Sequence, residues 1–190
     1  MADNIVPSRP LISGIYAPIP SFFLPHTEDL GASFTLGSCK LLISYPDIPS
    51  FEAHLLRVTS AGVIPLIAGS MGEAIHLSHS ERVELIQVAR KVLDKAGLTH
   101  VPIIAGTGAG STRETIELTL QAAAAGADYA IVIASGYFAS ALANNRVALK
   151  AFWADIADKS PIPVMIYNCV FIPFSYVTST HFFIHERSQC

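Results

Sequence analysis

The chain has 190 residues, of which 51% are hydrophobic and 14% are charged, and its formal net charge is −3. This composition predicts a folded chain with a sizeable core and excludes intrinsic disorder. The sequence has no basic block, so nucleic acid is not an expected partner. No apolar stretch reaches the roughly 18 residues of a membrane span, so we expect no membrane partner either.

The start of the chain and its cysteines predict a cytoplasmic protein. Met1 to Asn4 lacks the basic and apolar regions of a secretory signal. The 3 cysteines are odd in number and lack metal-ligand spacing; they are Cys39, Cys169 and Cys190. We therefore expect reduced thiols and no metal site.

Short apolar runs alternate with segments of helical periodicity through the middle of the chain. The runs predict strands at residues 15–19, 63–68, 101–105, 129–133 and 163–167. Helices are predicted over residues 51–61, from Ser78 to Gly97, after Ser111, and over residues 146–159. This alternation implies an α/β fold with a parallel sheet flanked by helices. It does not distinguish an open sheet from the first strands of a (β/α)8 barrel, and length alone favours the open sheet.

Two of the predicted helices begin with the spacing of a capping box, in which a serine and a glutamate satisfy each other's backbone amides. These pairs are Ser78 with Glu81 and Ser111 with Glu114. The helix after Ser111 carries Ile116, Leu120, Ala123 and Ala124 on one face.

A glycine-rich segment, Gly106-Thr107-Gly108-Ala109-Gly110, follows the third predicted strand and precedes a helix. This context allows a dinucleotide-binding interpretation. However, the third glycine of GxGxxG is missing, and Asp128 begins a strand instead of ending one. A tight turn is the favoured interpretation, and a nucleotide-binding protein stays as an alternative.

A second glycine-containing block, Gly69-Ser70-Met71-Gly72-Glu73, directly follows the second predicted strand. Glycine lets the backbone turn tightly and approach a ligand closely. The amides between the glycines can bind an anion such as a carboxylate.

This block resembles the GTTGE-type signature of the dihydrodipicolinate synthase/N-acetylneuraminate lyase family of pyruvate-handling aldolases. The fifth predicted strand, which ends in Tyr167-Asn168, resembles the family's Pro-Val-X-X-Tyr-Asn strand. The resemblance covers roughly Gly14 to Asn168 and implies a partial (β/α)8 TIM barrel of the class I aldolase type, comprising its first five strands. Some 4-hydroxy-2-oxoglutarate aldolase-like members also have Gly-Ser-X-Gly-Glu, so the block points to that branch.

The resemblance implies catalysis through a lysine Schiff base with pyruvate or another 2-oxo acid, without a metal or an organic cofactor. Gly69 and the amides of Ser70 and Met71 would bind the substrate's carboxylate, and the Ser70 hydroxyl would join a proton relay. Tyr167 would shuttle protons and hydrogen-bond the bound 2-oxo acid. Tyr137 lies in a loop that matches a Pro-Tyr-Tyr segment of the family.

In the family, the second tyrosine of that loop completes the relay from a neighbouring subunit of a homo-oligomer. Phe138 stands at that position here and cannot transfer a proton. Either the relay differs in this protein, or Tyr137 takes over the role.

The family's Schiff-base lysine lies on the sixth strand, farther along than Cys190. The lysines that are present are expected in a probable insertion or on solvent-facing helices, and they are Lys40, Lys91, Lys95, Lys150 and Lys159. We therefore expect the chain as written not to form the imine. The alternative function is a non-catalytic fragment that is inert or associates with full-length subunits.

Two segments depart from the family pattern. Residues 31–46 interrupt the link between the first strand and the first helix. Residues 170–190 do not continue the alternation of helices and strands. We expect a partial barrel domain over residues 1–169, with an insertion at 31–46, followed by a non-homologous tail. Our hypothesis is that both segments are translated introns or gene-model errors, which sequencing of the mature transcript would test.

Overall fold

The structure, a computed structural model, describes residues 9–23, 47–136 and 145–167. The strands predicted from the sequence are present, and they are β1 (Tyr16–Pro18), β2 (Ile64–Ile67), β3 (Ile104–Gly106), β4 (Tyr129–Ile133) and β5 (Val164–Tyr167). The predicted helices are also present, and they are α1 (Ile48–Ser60), α2 (His79–Lys95), α3 (Thr112–Ala125) and α4 (Arg146–Lys159). A short 3₁₀ helix, Ala74–His76, precedes α2. The segments 31–46 and 170–190 lie outside the described residues.

The chain divides into two compact units. The first unit contains described residues 11–23 and 47–103, and the second contains residues 9–10, 104–136 and 145–167. None of the helices in these described segments is both long and apolar enough to cross a bilayer.

In the first unit, β1 and β2 pair in parallel, with Tyr16 opposite Ile64 and Pro18 opposite Leu66. Helix α1 packs against α2. The buried apolar side chains come from both helices and from β2, and they include Phe51, Leu55, Ile64, Ile67, Leu85 and Leu93. This core supports the carboxyl end of β2, where the Gly69–Glu73 block begins.

In the second unit, β4 lies between β3 and β5, and all pairs are parallel. Ala130, Val132 and Val164 form a buried cluster with Ile156 of α4. Side chains alternate between the two faces of a strand, so this cluster defines the helix-covered face of the sheet. Ile133 lies on the opposite face, because it is the next residue after Val132 in β4.

The capping box at the start of α2 is confirmed. The Ser78 hydroxyl accepts from the Glu81 amide at 3.3 Å, and the Glu81 carboxylate accepts from the Ser78 amide at 2.6 Å. At α3, the Ser111 hydroxyl accepts from the Glu114 amide at 3.2 Å. The serines therefore cap both helices, but the reciprocal glutamate-to-serine bond of the predicted capping box is present at α2 and not among the bonds at the start of α3.

The apolar face of α3 is only partly covered by the core, against which Ile116 packs. The helix buries Thr115, Leu118, Thr119, Ala122 and Ala125, whereas Leu120 is 47% exposed and Ala124 is exposed. The two threonines can be buried because their hydroxyls donate to the carbonyl groups one turn earlier, Thr115 to Ser111 and Thr119 to Thr115. The apolar residues of α3 therefore lie on a face next to the one that the core covers, so apolar periodicity alone does not identify the buried face.

Candidate functional site

The Gly69–Glu73 block forms a compact turn at the carboxyl end of β2. The amides of Gly72 and Ala74 donate to the Gly69 carbonyl at 3.0 and 3.3 Å, and the Glu73 amide donates to the Ser70 carbonyl at 3.2 Å. Within the described residues, by contrast, no group accepts a hydrogen bond from the amide of Ser70 or Met71. Both residues are exposed. The turn thus leaves two successive amides available, which is the arrangement that binds a carboxylate.

Two residues at the ends of this turn have left-handed backbone conformations. Ala68 has a φ of 54° and Glu73 has a φ of 51°. This conformation is uncommon for residues other than glycine, and it costs on the order of 1–3 kcal/mol where the surrounding structure imposes it. Such strain is concentrated at ligand-binding sites in proteins. Neither residue was singled out by the sequence, because nothing in the letters Ala and Glu signals a positive φ.

Of the glycines in the block, Gly72 is the one that backbone packing requires. A Cβ atom at Gly72 would lie 2.9 Å from the Ile19 carbonyl oxygen and 3.3 Å from the Gly69 nitrogen. A Cβ atom at Gly69 would meet the Leu66 Cδ2 atom at 2.6 Å, but that atom is the end of a flexible side chain. Gly72 therefore allows the segment after β1 to lie directly against the turn.

A serine that the sequence analysis missed also contacts this turn. Ser21 lies just after β1 and is only 7% exposed, and its hydroxyl donates to the Gly72 carbonyl at 2.7 Å. A single serine after a proline belongs to no recognisable sequence motif. This contact is therefore visible only in the folded chain.

Tyr167 is the last residue of β5, in the second unit. It is paired with Ile133 of β4, and it is 38% exposed. Paired residues of neighbouring parallel strands share a face, so Tyr167 lies on the face opposite the helix-covered one. Its position at the carboxyl end of a parallel strand is where (β/α)8 barrels place catalytic groups.

Ser135 is a second residue that sequence reasoning missed, and it follows β4. It is 9% exposed, and its hydroxyl oxygen has no hydrogen-bond partner in the part of the chain that the structure describes. Buried hydroxyls are normally satisfied, so this group is a candidate to contact a ligand.

Of the predicted site residues, the structure brings Gly69, Ser70 and Met71 together on one turn. Tyr137 and its neighbour Phe138 lie outside the described residues. Four lysines fall on helices and are exposed, as expected; they are Lys91, Lys95, Lys150 and Lys159. Lys40 lies outside the described residues.

The contacts around the glycine-rich segment after β3 disfavour the nucleotide-binding alternative. A Cβ atom at Gly108 would lie 2.8 Å from the Ile133 nitrogen, so this glycine is required by packing of the chain on itself. The Ala109 amide donates to the Thr115 hydroxyl at 3.2 Å instead of being available to a phosphate. The Asp128 carboxylate accepts from the Arg9 guanidinium at 2.8 Å and is 6% exposed. The tight-turn interpretation accounts for the contacts of Gly108 and Ala109.

In the described segments, no three His, Cys, Asp or Glu side chains are grouped so that they could hold a metal ion. All three cysteines lie outside those segments.

Comparison with models of protein families shows the family to which the chain belongs. The model of the family described as "Dihydrodipicolinate synthetase family" matches residues 53–174. The chain belongs to the dihydrodipicolinate synthetase family. The match includes the Gly69–Glu73 turn and Tyr167, which carried the resemblance at the sequence level.

Two curated fungal members of this family resemble the chain along most of its length. "L-threo-3-deoxy-hexylosonate aldolase" of Aspergillus niger is 39% identical over 164 residues, which are 86% of this chain and 44% of that protein. "Probable 4-hydroxy-2-oxoglutarate aldolase, mitochondrial" of Emericella nidulans is 41% identical over 162 residues, which are 85% of this chain and 46% of that protein. The chain therefore spans less than half the length of these relatives.

Solved structures of the family share the fold. A dihydrodipicolinate synthase family protein from Coccidioides immitis is 30% identical with a TM-score of 0.65, and the match covers 84% of this chain and 44% of that one. YagE, a prophage protein of E. coli K12 solved in complex with pyruvate, is 28% identical with a TM-score of 0.64. This match covers 86% of this chain and 47% of YagE. The fold is thus a partial (β/α)8 barrel comprising its first five strands, and the open-sheet interpretation from length alone is wrong.

Proposed function

We propose that this chain carries the carboxylate-binding part of a Schiff-base aldolase or lyase that acts on pyruvate or a related 2-oxo acid. The observation that carries the proposal is the pair of amides at Ser70 and Met71, which the turn leaves without a partner among the described residues. A carboxylate needs such donors, and charge-assisted hydrogen bonds to it are stronger than neutral ones.

The other roles follow from family membership. Gly69 lets the backbone approach the 2-oxo acid, and the Ser70 hydroxyl takes part in proton transfer. Tyr167 donates to the 2-oxo acid and exchanges protons with it, while Tyr137 lines the site. A lysine amine attacks the ketone carbon, water leaves, and the imine formed draws electrons from the neighbouring carbon. This chemistry needs no metal or organic cofactor.

Pyruvate binding tests the proposal directly. In a titration of the ¹⁵N-labelled chain with pyruvate, we expect the amide resonances of Ser70 and Met71 to shift saturably. Acetone is the matched control, because it has the ketone but no carboxylate, and it should leave these resonances unchanged. Equal responses to both compounds, or none to pyruvate, would reject carboxylate binding at this turn.

We further propose that the 190-residue chain does not form the imine by itself. The four described lysines are exposed on helices, and none lies at the carboxyl end of a strand, where (β/α)8 barrels place their catalytic groups. Treatment with pyruvate and borohydride should leave the intact mass of the chain unchanged. A reduced adduct on any lysine, located by peptide mass spectrometry, would overturn this proposal.

The same observation supports a second candidate function, a non-catalytic chain that is inert or associates with full-length subunits of the family. If the chain associates with full-length subunits, we expect it to co-elute with such a subunit in size-exclusion chromatography. Independent elution would favour an inert chain.

The substrate branch is proposed from the relatives. The two fungal proteins above are named as a hexylosonate aldolase and a 4-hydroxy-2-oxoglutarate aldolase, and a protein 38% identical over 127 residues is named as a 4-hydroxy-tetrahydrodipicolinate synthase. The Gly-Ser-X-Gly-Glu form of the turn favours the aldolase branch. A small-molecule 2-oxo acid is the proposed partner, without nucleic acid or membrane.

The domain organisation and the compartment also stay proposals. We assign residues 1–169 to the partial barrel, with 31–46 as an insertion and 170–190 as a non-homologous tail. We propose a cytoplasmic location, whereas the name of the Emericella nidulans relative makes the mitochondrion the competing compartment. Fractionation of cells that express the chain at its natural level would distinguish the two.

A further inference from the structure

The segment that follows β1 is tied to the Gly69–Glu73 turn by backbone and side-chain bonds. The Ile19 amide donates to the Leu66 carbonyl at 2.9 Å, which continues the pairing of β1 with β2 beyond Pro18. Two residues farther on, the buried Ser21 hydroxyl donates to the Gly72 carbonyl at 2.7 Å. Residues 19–21 therefore contact the turn from one side.

The Ser21 hydroxyl contacts Gly72, which is the residue that closes the turn. The Gly72 amide bonds to the Gly69 carbonyl at 3.0 Å, and its carbonyl bonds to Ser21, so Gly72 is held at both of its polar groups. Its Cα also packs so closely on the Ile19 carbonyl that a Cβ atom would lie 2.9 Å from that oxygen. The peptide groups that present the Ser70 and Met71 amides lie between these restraints.

Some external restraint is needed because the turn is strained at both ends. Ala68 and Glu73 have positive φ values of 54° and 51°, which neither residue adopts readily by itself. Strained backbone persists only where the surroundings over-determine it. A buried hydroxyl that donates to a backbone carbonyl supplies such a restraint without touching a ligand.

We propose that Ser21 is a positioning residue for the carboxylate of the 2-oxo acid. Its hydroxyl holds Gly72, and through Gly72 it holds the Ser70 and Met71 amides, which have no partner among the described residues, in the conformation that binds the anion. This inference rests on the proposed function for its ligand, but the restraint on the turn can be measured without any ligand.

The test compares Ser21→Ala, which removes the donor, with Ser21→Thr, which keeps it. Ser13→Ala, in the exposed stretch before β1, is the matched control. Each variant of the full chain is measured for pyruvate affinity by NMR titration and for hydrogen exchange at the Gly72, Glu73 and Ala74 amides. Global stability is followed by urea unfolding, so that local loosening is separated from unfolding.

We expect Ser21→Ala to weaken pyruvate binding about five- to tenfold, the effect of one hydrogen bond, and to speed exchange at the three amides by a similar factor. Ser21→Thr should restore both values, and Ser13→Ala should change neither. If Ser21→Ala does not fold, Ser21→Cys keeps nearly the same volume with a weaker donor, and it should show the same loss relative to Ser21→Thr.

The outcomes separate the two proposals. If the natural chain does not bind pyruvate, the proposed function fails, while faster exchange in Ser21→Ala still supports the restraint on the turn. If the natural chain binds pyruvate but Ser21→Ala retains both affinity and slow exchange, the role of Ser21 is overturned. Equal losses in Ser21→Ala and Ser21→Thr would also overturn it, because the hydroxyl would then not be the group that matters.

Discussion

Gly72 lies where the backbone of one loop meets the backbone of another. Its carbonyl accepts from the Ser21 hydroxyl, its amide donates to the Gly69 carbonyl, and its Cα faces the Ile19 oxygen. A side chain at this position would have to push backbone atoms apart, and backbone cannot move aside as a flexible side chain can. The glycine is therefore required by steric contact, independently of any ligand.

Gly72→Ala is expected to destabilise the chain by about 1–3 kcal/mol, the usual cost of forcing an extra carbon into a packed region, and to weaken pyruvate binding. Urea unfolding and the NMR titration measure the two effects. Gly110→Ala is the matched control, since a Cβ atom there meets nothing within 4 Å. A Gly72→Ala chain as stable as the Gly110→Ala chain would show that the contact with Ile19 is not restrictive.

At the scale of elements, the helix that follows the turn begins with a fully formed cap. Ser78 and Glu81 exchange hydrogen bonds between side chain and backbone, and Glu81 is 7% exposed. The cap fixes where α2 starts, and the buried side of α2 then packs against α1. The short 3₁₀ helix, Leu77 and the cap residue Ser78 connect the turn to α2.

Ser78→Ala is expected to lower the free energy of unfolding by about 0.5–2 kcal/mol, the typical effect of losing an N-cap. Urea denaturation gives this value. Ser60→Ala changes an exposed serine at the end of α1 and should stay within about 0.5 kcal/mol of the natural chain. If both variants lost the same stability, the cap would contribute nothing specific.

At the scale of the whole molecule, contacts between distant parts of the sequence complete the second unit. The Arg9 guanidinium donates to the Asp128 carboxylate at 2.8 Å, across 119 positions of the chain. The Tyr129 hydroxyl donates to the Arg9 carbonyl at 3.1 Å. The start of the described chain is thereby attached to the beginning of β4, and the Asp128 side chain is 4% exposed there.

Arg9→Ala is expected to destabilise the chain by about 1–3 kcal/mol, because the buried Asp128 carboxylate loses its guanidinium partner. The expected loss of stability is smaller than for a fully buried ion pair, because the Arg9 side chain is 24% exposed. Thermal or urea unfolding measures it, with Arg113→Ala, at an exposed position of α3, as the control. An Arg9→Ala effect no larger than that of Arg113→Ala would contradict the prediction.

The order and type of elements could be predicted from the sequence, since local periodicity and capping residues encode them. The choice of buried face on α3 could not, because Thr115 and Thr119 satisfy their hydroxyls on the helix itself and so enter the core despite being polar. In the candidate site, Gly69, Ser70 and Met71 were identified from a contiguous motif. The contribution of Ser21 was not, because its partner lies 51 positions away.

The sequence by itself determined the alternation of strands and helices, the family, and the presence of a glycine-containing turn after β2. These properties depend on residues that are neighbours in the chain. Only the tertiary structure decided which amides of that turn lack a partner among the described residues, where the backbone has a positive φ, and which buried hydroxyl contacts the turn. Those properties depend on contacts between segments far apart in sequence, and such contacts exist only once the chain has folded.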